Sequence, residues 1–232
     1  MENNLCSILA SFKGVTEIKD EKEKLSSLTS QFEAIANDVL LGGCFEINGV
    51  RRIYPLEIEF YYHEEGENGL KDPVMYHTDD HEGKLLDYYP LGSFNFHVSG
   101  LDVTFEKEGE YRASFLIREY DVYSLKDGVW VEDKSEARST YIYEDMLMRL
   151  SVFNGISIRW VSEQSECEYG VTTTERKNVA SYHKENDKYI KDEISNDEYK
   201  KLSDSEKTLY FSYSGKKYKK CTRQWSFHRV RL

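Results

Sequence analysis

The chain has 232 residues, 39% hydrophobic and 31% charged, with 18 Tyr, 11 Phe and 3 Trp. That is enough apolar material for a packed core and excludes disorder along the whole length. No apolar run reaches the ~18 residues of a membrane span, and MENNLCSILASFKGVTEIKDEKEK has no basic leader, so neither a transmembrane protein nor a secretory signal is expected. The net charge is −11, yet the last 17 residues, KKYKKCTRQWSFHRVRL, carry four Lys, three Arg and no acid, leaving −18 for the rest. A basic tail on an acidic body implies an anionic ligand at the C-terminus or docking of the tail onto the body.

Residues 1–20 read as an N-terminal arm. Leu25, Leu28, Phe32, Ile35, Ala36 and Val39 follow helical spacing, which predicts a helix from Glu21 to Leu41 stopped by Gly42-Gly43. The period then changes to two. Cys44 to Ile47 and Arg51 to Tyr54 flank Asn48-Gly49, the strongest two-residue hairpin signal, and the second strand continues through Leu56 to Tyr62. A long polar stretch with Asp-Pro and three His follows, of the kind that is functional or disordered. Strands are expected over Ser93–Phe105, interrupted at Gly100, and over Arg112–Tyr120, with a hairpin at DGVWVE (127–132). Helical spacing recurs over Tyr141–Phe153, then a strand over Ile156–Val161. The charged stretch 183–208 reads as a solvated helix or a partly mobile insertion, and two strands, Leu209–Tyr213 and Arg223–Val230, close the chain. With no repeat and no linker, residues 1–232 are expected to form one α+β domain with a mostly antiparallel sheet, residues 216–232 being its basic C-terminal strand or tail. Cys6, Cys44, Cys167 and Cys221 are scattered with no CxxC pair, which argues for reduced thiols, a cytoplasmic location and no cysteine-bound metal.

Candidate chemistry starts at Glu57 and Glu59. On a strand they share one face with Tyr61, while Leu56, Ile58 and Phe60 take the other. Such a pair is either a solvent-facing strand edge or a carboxylate placed to activate water as a general base. In DPVMYHTDDH, His77 and His81 stand at i and i+4 with Asp79 and Asp80 between them. Asp-Pro upstream and Gly83 downstream favour a loop, no third ligand is evident, and a histidine lining a polar pocket is favoured over a metal site. No GxSxG, Walker or dinucleotide fingerprint occurs, so covalent-hydrolase and nucleotide-triphosphatase readings lose their usual support, and no cofactor is expected.

The succession EAIANDVLLGG, FEINGVRRIYPLEIEFYY, DPVMYH, LGSFNFHVSGLDVTF, ASFLIR and, near the end, QWSF resembles the alkyladenine (3-methyladenine) DNA glycosylase family. The resemblance covers roughly residues 33–120 in order, with a weaker match at 224–227, and its weight lies in order and spacing. It implies a single domain with a curved antiparallel sheet flanked by helices, and a monofunctional hydrolase that flips a damaged purine out of DNA and cleaves its N-glycosidic bond. By the resemblance, Glu59 activates the attacking water, with Glu57 two places earlier. Tyr61 stacks on the base, His77 lies in the pocket, and Arg118 stands near the water and the substrate backbone. A second aromatic wall falls on His97 when aligned from Gly92 and on Phe96 when aligned back from Gly100. The chain departs from the family at Ser99, where a wedge tyrosine is expected. Serine cannot fill the gap left by a flipped nucleotide, so another side chain fills it or the substrate is not an intact duplex.

The chemistry is coherent on general grounds. A carboxylate beside the sugar stabilises an oxocarbenium-like state and deprotonates water. A tyrosine face accepts any base, and a neighbouring guanidinium holds the carboxylate ionised. Phosphate contacts are expected from Arg51 and Arg52 and from Lys216, Lys217, Lys219 and Lys220. The expected partner is DNA carrying a modified base, with no membrane partner and a monomeric state. Two other functions fit the same residues: a protein that binds a nucleotide or base without cleaving it, and an N-glycosidase of small nucleotides.

Overall fold

A computed structural model describes residues 4–66, 69–75, 86–148, 150–163, 169–185 and 188–232. His77, His81 and Cys167, singled out from the sequence, lie outside the described residues. The chain forms two compact units, Met1–Thr173 with Trp225–Leu232, and Thr174–Gln224.

In the first unit α1 (Asn4–Ala10) and α2 (Glu21–Leu41) precede β1 (Gly43–Ile47), β2 (Arg51–Glu64), β3 (Phe94–His97), β4 (Gly100–Thr104), β5 (Tyr111–Lys126) and β6 (Val129–Arg138). Then come α3 (Ile142–Leu147), β7 (Ile158–Ser162) and β8 (Tyr169–Thr174), and the last residues return as β14 (Ser226–Arg231). The result is α+β with a mostly antiparallel, open curved sheet and few helices. The sheet runs β3-β4-β5-β2-β1-β7, with β6 on β5 and β8 on β14. One edge of β2 is paired along its length by β5, while the other is shared by β1 at Arg51–Ile53 and by β14 at Glu57–Glu59.

α2 matches its expected bounds for identifiable reasons. Asp20 accepts a hydrogen bond from the Glu23 amide at 2.9 Å, and Glu21 and Glu23 in the first turn complement the helix dipole. At the far end a Cβ on Gly43 would lie 2.2 Å from the Val161 carbonyl oxygen, so only glycine fits against β7. The Asn48-Gly49 turn has φ of 51° and 68°, the left-handed pair that a two-residue hairpin needs.

The core lies between α2 and one face of the sheet. The cross-strand rows Ile58–Ile117–Leu101 and Phe60–Phe115–Val103 supply that face. Phe60 stacks on Phe32 of α2 with centroids 4.4 Å apart and meets Phe227 edge-on at 5.4 Å. Helical order at 141–153 is shorter than its spacing suggests. After a 3-10 turn at Ser139–Tyr141, α3 ends at Leu147, and Ser151, Asn154 and Gly155 favour a second tight turn over another helical turn. No helix among the described residues is long and apolar enough to cross a membrane.

On β1, next to the edge strand β7, Glu46 stands directly opposite Arg52 of β2 and Arg159 of β7. Its carboxylate accepts from both guanidiniums at 3.0 Å. Burial works to raise the Glu46 carboxyl, but the two arginines outweigh it and hold it below its ordinary value. A carboxyl depressed in the folded state contributes stability that is complete above the unfolded value near ~4.3 and is lost as pH falls through the folded one. Glu46→Gln is therefore expected to cost about 1–2 kcal/mol at neutral pH, and the difference from the parent should vanish in urea titrations repeated toward pH 3.

The neighbouring Cys44 thiol is pushed up to about 12, by burial first and then by the charge of Glu163. Thiolate is the reactive form. A disulfide reagent at pH 8 is thus expected to modify exposed Cys6 rapidly and Cys44 only after denaturant is added. Equal rates at the two sulfurs in the native protein would contradict the packing of β1.

The second unit contains β9 (Tyr182–Glu185) paired with β10 (Lys188–Lys191), and a three-stranded sheet of β11 (Glu193–Ile194), β13 (Lys216–Lys219) and β12 (Tyr210–Tyr213) in that order. Two short helices, α4 (Asn196–Lys201) and α5 (Asp204–Lys207), lie between β11 and β12. The described residues of 183–208 are thus strands followed by two short helices; of the two readings, a solvated helix or a partly mobile insertion, the single helix is not what forms. The alternation at 182–191 is strand-like, and Ser195/Glu198 and Ser203/Glu206 form two reciprocal capping boxes that start separate helices. The basic stretch 216–232 also divides, with β13 in this unit and β14 in the sheet of the first.

Candidate active site

The pleat that turns Ile58, Phe60 and Tyr62 toward α2 turns Glu57, Glu59 and Tyr61 to the other face. Glu59 pairs with Leu116 on β5 and Ser226 on β14, and Leu116 pairs with Asp102 on β4. A row of Asp102, Leu116, Glu59 and Ser226 therefore crosses four strands on this outer face. Arg118 reaches it through an irregularity in the ladder. Ile58 pairs with Ile117 and Glu57 with Glu119, so Arg118 is the extra residue of a β-bulge on β5.

The side chains converge on one carboxylate oxygen. Arg118 Nη2 lies 2.5 Å from Glu59 Oε2, and the Tyr61 hydroxyl donates to the same atom at 2.9 Å. Glu59 is 0% exposed, and the Arg118 side chain only 21%. Burial acts to lower the Arg118 guanidinium, but the charge of Glu59 and its bond to the guanidinium, helped by the charge of Glu57, hold it above its ordinary value. The guanidinium is thus a fixed cation at every pH at which the protein folds. Tyr61, Leu116 and Met75 form a small apolar cluster with Val74 packed against it, bringing the connection after β2 over this face.

Two further polar clusters flank the pair. The Ser226 hydroxyl donates to Glu57 Oε1 at 3.1 Å, and His228 Nδ1 lies 3.5 Å from Glu57 Oε2. On the β4 side His97 Nε2 is 2.9 Å from Asp102 Oδ2, and the Ser99 amide donates to His97 Nδ1 at 3.2 Å. With Nδ1 accepting, the Nε2 proton points at Asp102. Among the described residues no three His, Cys, Asp or Glu side chains are grouped as metal ligands.

The residues selected from the sequence divide clearly. Glu57, Glu59, Tyr61, His97 and Arg118 share this face, and Ser99 joins it through its backbone at the tip of the β3–β4 hairpin. Phe96 lies on the opposite face, edge-on to Phe94 at 6.1 Å and to Tyr143 at 5.6 Å. Arg51 donates to the Asp145 carbonyl at 2.6 Å. Arg52 binds Glu46 at 3.0 Å and Glu163 at 2.6 Å and lies over the Trp130 ring. Lys216, Lys217, Lys219 and Lys220 belong to the second unit, where Lys216 pairs with Glu193 at 2.9 Å and Lys217 sits 4.5 Å over the Tyr199 ring.

Sequence reasoning missed Asp102, Ser226 and His228. Asp102 is the single charge in GLDVT, and Ser226 and His228 alternate with apolar Trp225 and Phe227, so period-two reading of these strands would have placed all three opposite the core. A separate cavity of about 400 Å³, lined by Leu9, Phe45, Phe94, Val103 and Trp160, opens on the core side of the sheet and is not part of this cluster. Comparisons with protein families, curated proteins and solved structures find no match for this chain.

Proposed function

We propose that the outer face of β2 and β5 is the site of a hydrolytic N-glycosylase that releases an alkylated or deaminated purine from DNA. The reading rests on one observation, that Arg118 and Tyr61 both bind Oε2 of the fully buried Glu59. A carboxylate held by a charge-assisted bond and a phenol has a fixed direction and a low-dielectric setting, which suits it to take a proton from water and to face a developing sugar cation. Glu59 is the proposed general base, Arg118 its orienting cation, and Tyr61 a second donor to the carboxylate whose ring the base would reach where Met75 and Val74 now cover it. His97 lines the same face, tied to Asp102. The order of motifs shared with the alkyladenine DNA glycosylases supports the same assignment.

A second reading, a protein that binds a base without cleaving it, is favoured by the complete burial of Glu59. Oligonucleotides carrying hypoxanthine, 3-methyladenine or 7-methylguanine separate the two. Under the first reading, mass spectrometry shows free base and an abasic strand. Under the second, the strand is bound and stays intact through long incubation.

A further inference from the structure

Charge is unevenly divided between the two units. Residues 174–224 carry 13 Lys and Arg against 9 Asp and Glu, a net +4, whereas the rest of the chain carries −15. The excess is ordered along strands. In the β9–β10 hairpin Tyr182 pairs with Lys191 and Lys184 with Tyr189, so one face is a checkerboard of two tyrosines and two lysines. His183, Glu185, Lys188 and Ile190 take the opposite face, and no acidic side chain among the described residues of the hairpin shares the first. Lys184, Tyr189 and Lys191 are exposed, Tyr189 to 41%. The chain holds Asp192, the acid that follows β10, to the other side through His183 at 2.6 Å. Lys191 Nζ lies 5.6 Å over the ring of Tyr218 in Lys-rich β13, which fixes where its charge is presented.

We infer that this hairpin face binds single-stranded nucleic acid, its lysines taking phosphates and its tyrosines taking bases. Cations interleaved with rings are the arrangement that holds an unpaired strand without reading its sequence. Spacing favours an open strand over a duplex. Tyr182 and Tyr189 are diagonal neighbours about 7–8 Å apart, roughly twice the ~3.4 Å rise of stacked bases, and duplex bases have no free faces to offer. An acidic peptide would use the lysines and leave the rings without a role. The inference stands apart from the hydrolysis proposed for Glu59 and predicts that strand binding survives the loss of that chemistry.

The test is fluorescence anisotropy of the full-length protein with labelled dT12 and U12, a 12-base-pair duplex and polyglutamate, across a salt series. Both single strands are expected to bind more tightly than the duplex or polyglutamate. Lys184→Glu with Lys191→Glu should weaken binding at least about 10-fold and lower the salt slope by about 1.4, the value for two lost phosphate contacts on a single strand. Tyr189→Ala should weaken it at least about 5-fold with the slope unchanged, and Tyr189→Phe should restore it. Duplex or polyglutamate binding as tight as dT12, or unchanged affinity in the lysine and Tyr189→Ala variants, would overturn the inference.

Discussion

Arg118→Met is expected to destabilise the first unit by about 3–5 kcal/mol, because it leaves the Glu59 carboxylate in a site with no exposure and without the cation 2.5 Å away. Most of that loss reflects a charge that burial has made costly, and only a smaller part the ion pair's own net contribution. The double variant Glu59→Gln/Arg118→Met should therefore recover much of the stability that Arg118→Met alone loses. Urea denaturation of the four proteins closes the cycle. Additive losses would mean that the two side chains do not share the contact, and the site would lose its geometric basis.

Trp225→Ala should cost a similar amount, about 3–5 kcal/mol, by leaving a cavity where the indole fills the space between α2 and the sheet. Trp225 is 1% exposed, meets Phe32 edge-on at 5.2 Å and donates to Thr29 Oγ1 at 3.3 Å, 196 residues away in sequence. Its carbonyl also accepts from the Phe60 amide at 2.8 Å, starting the pairing of β14 with β2. Stability and site are coupled here, since β14 supplies the Ser226 and His228 that hold Glu57. Trp225→Ala should lower the melting temperature of the first unit by about 6–20 °C. A loss below 1 kcal/mol would show that β14 is not packed as described.

What the sequence made legible follows from the range of the forces involved. α2 and the Asn48-Gly49 hairpin were readable because an N-cap, a run of helical spacing and two left-handed turn residues each act within a few positions. Sharing of a face by Glu57, Glu59 and Tyr61 was readable for the same reason, since strand alternation is local. Alternation puts Asp102 opposite the core but does not reveal that β4 and β2 both pair with β5, and it does not place Arg118 at all; the strand order and the bulge that turns Arg118 outward are tertiary outcomes. Phe96 and His97 could not be separated by counting from either flanking glycine, whereas the register of β3 on β4 sends them to opposite faces. Arg51 and Arg52 looked available to phosphates because the sequence does not reveal that Glu46, Glu163 and the Asp145 carbonyl meet them.

The catalytic proposal reduces to whether the Glu59 carboxylate performs a proton transfer. Single-turnover release of hypoxanthine by the parent and by Glu59→Gln, each confirmed folded by its thermal transition, measures this directly. A fall of about 10²–10⁴-fold in rate with substrate affinity retained is the predicted result. Equal rates in the two proteins, or no release by the parent at saturating concentration, would contradict it.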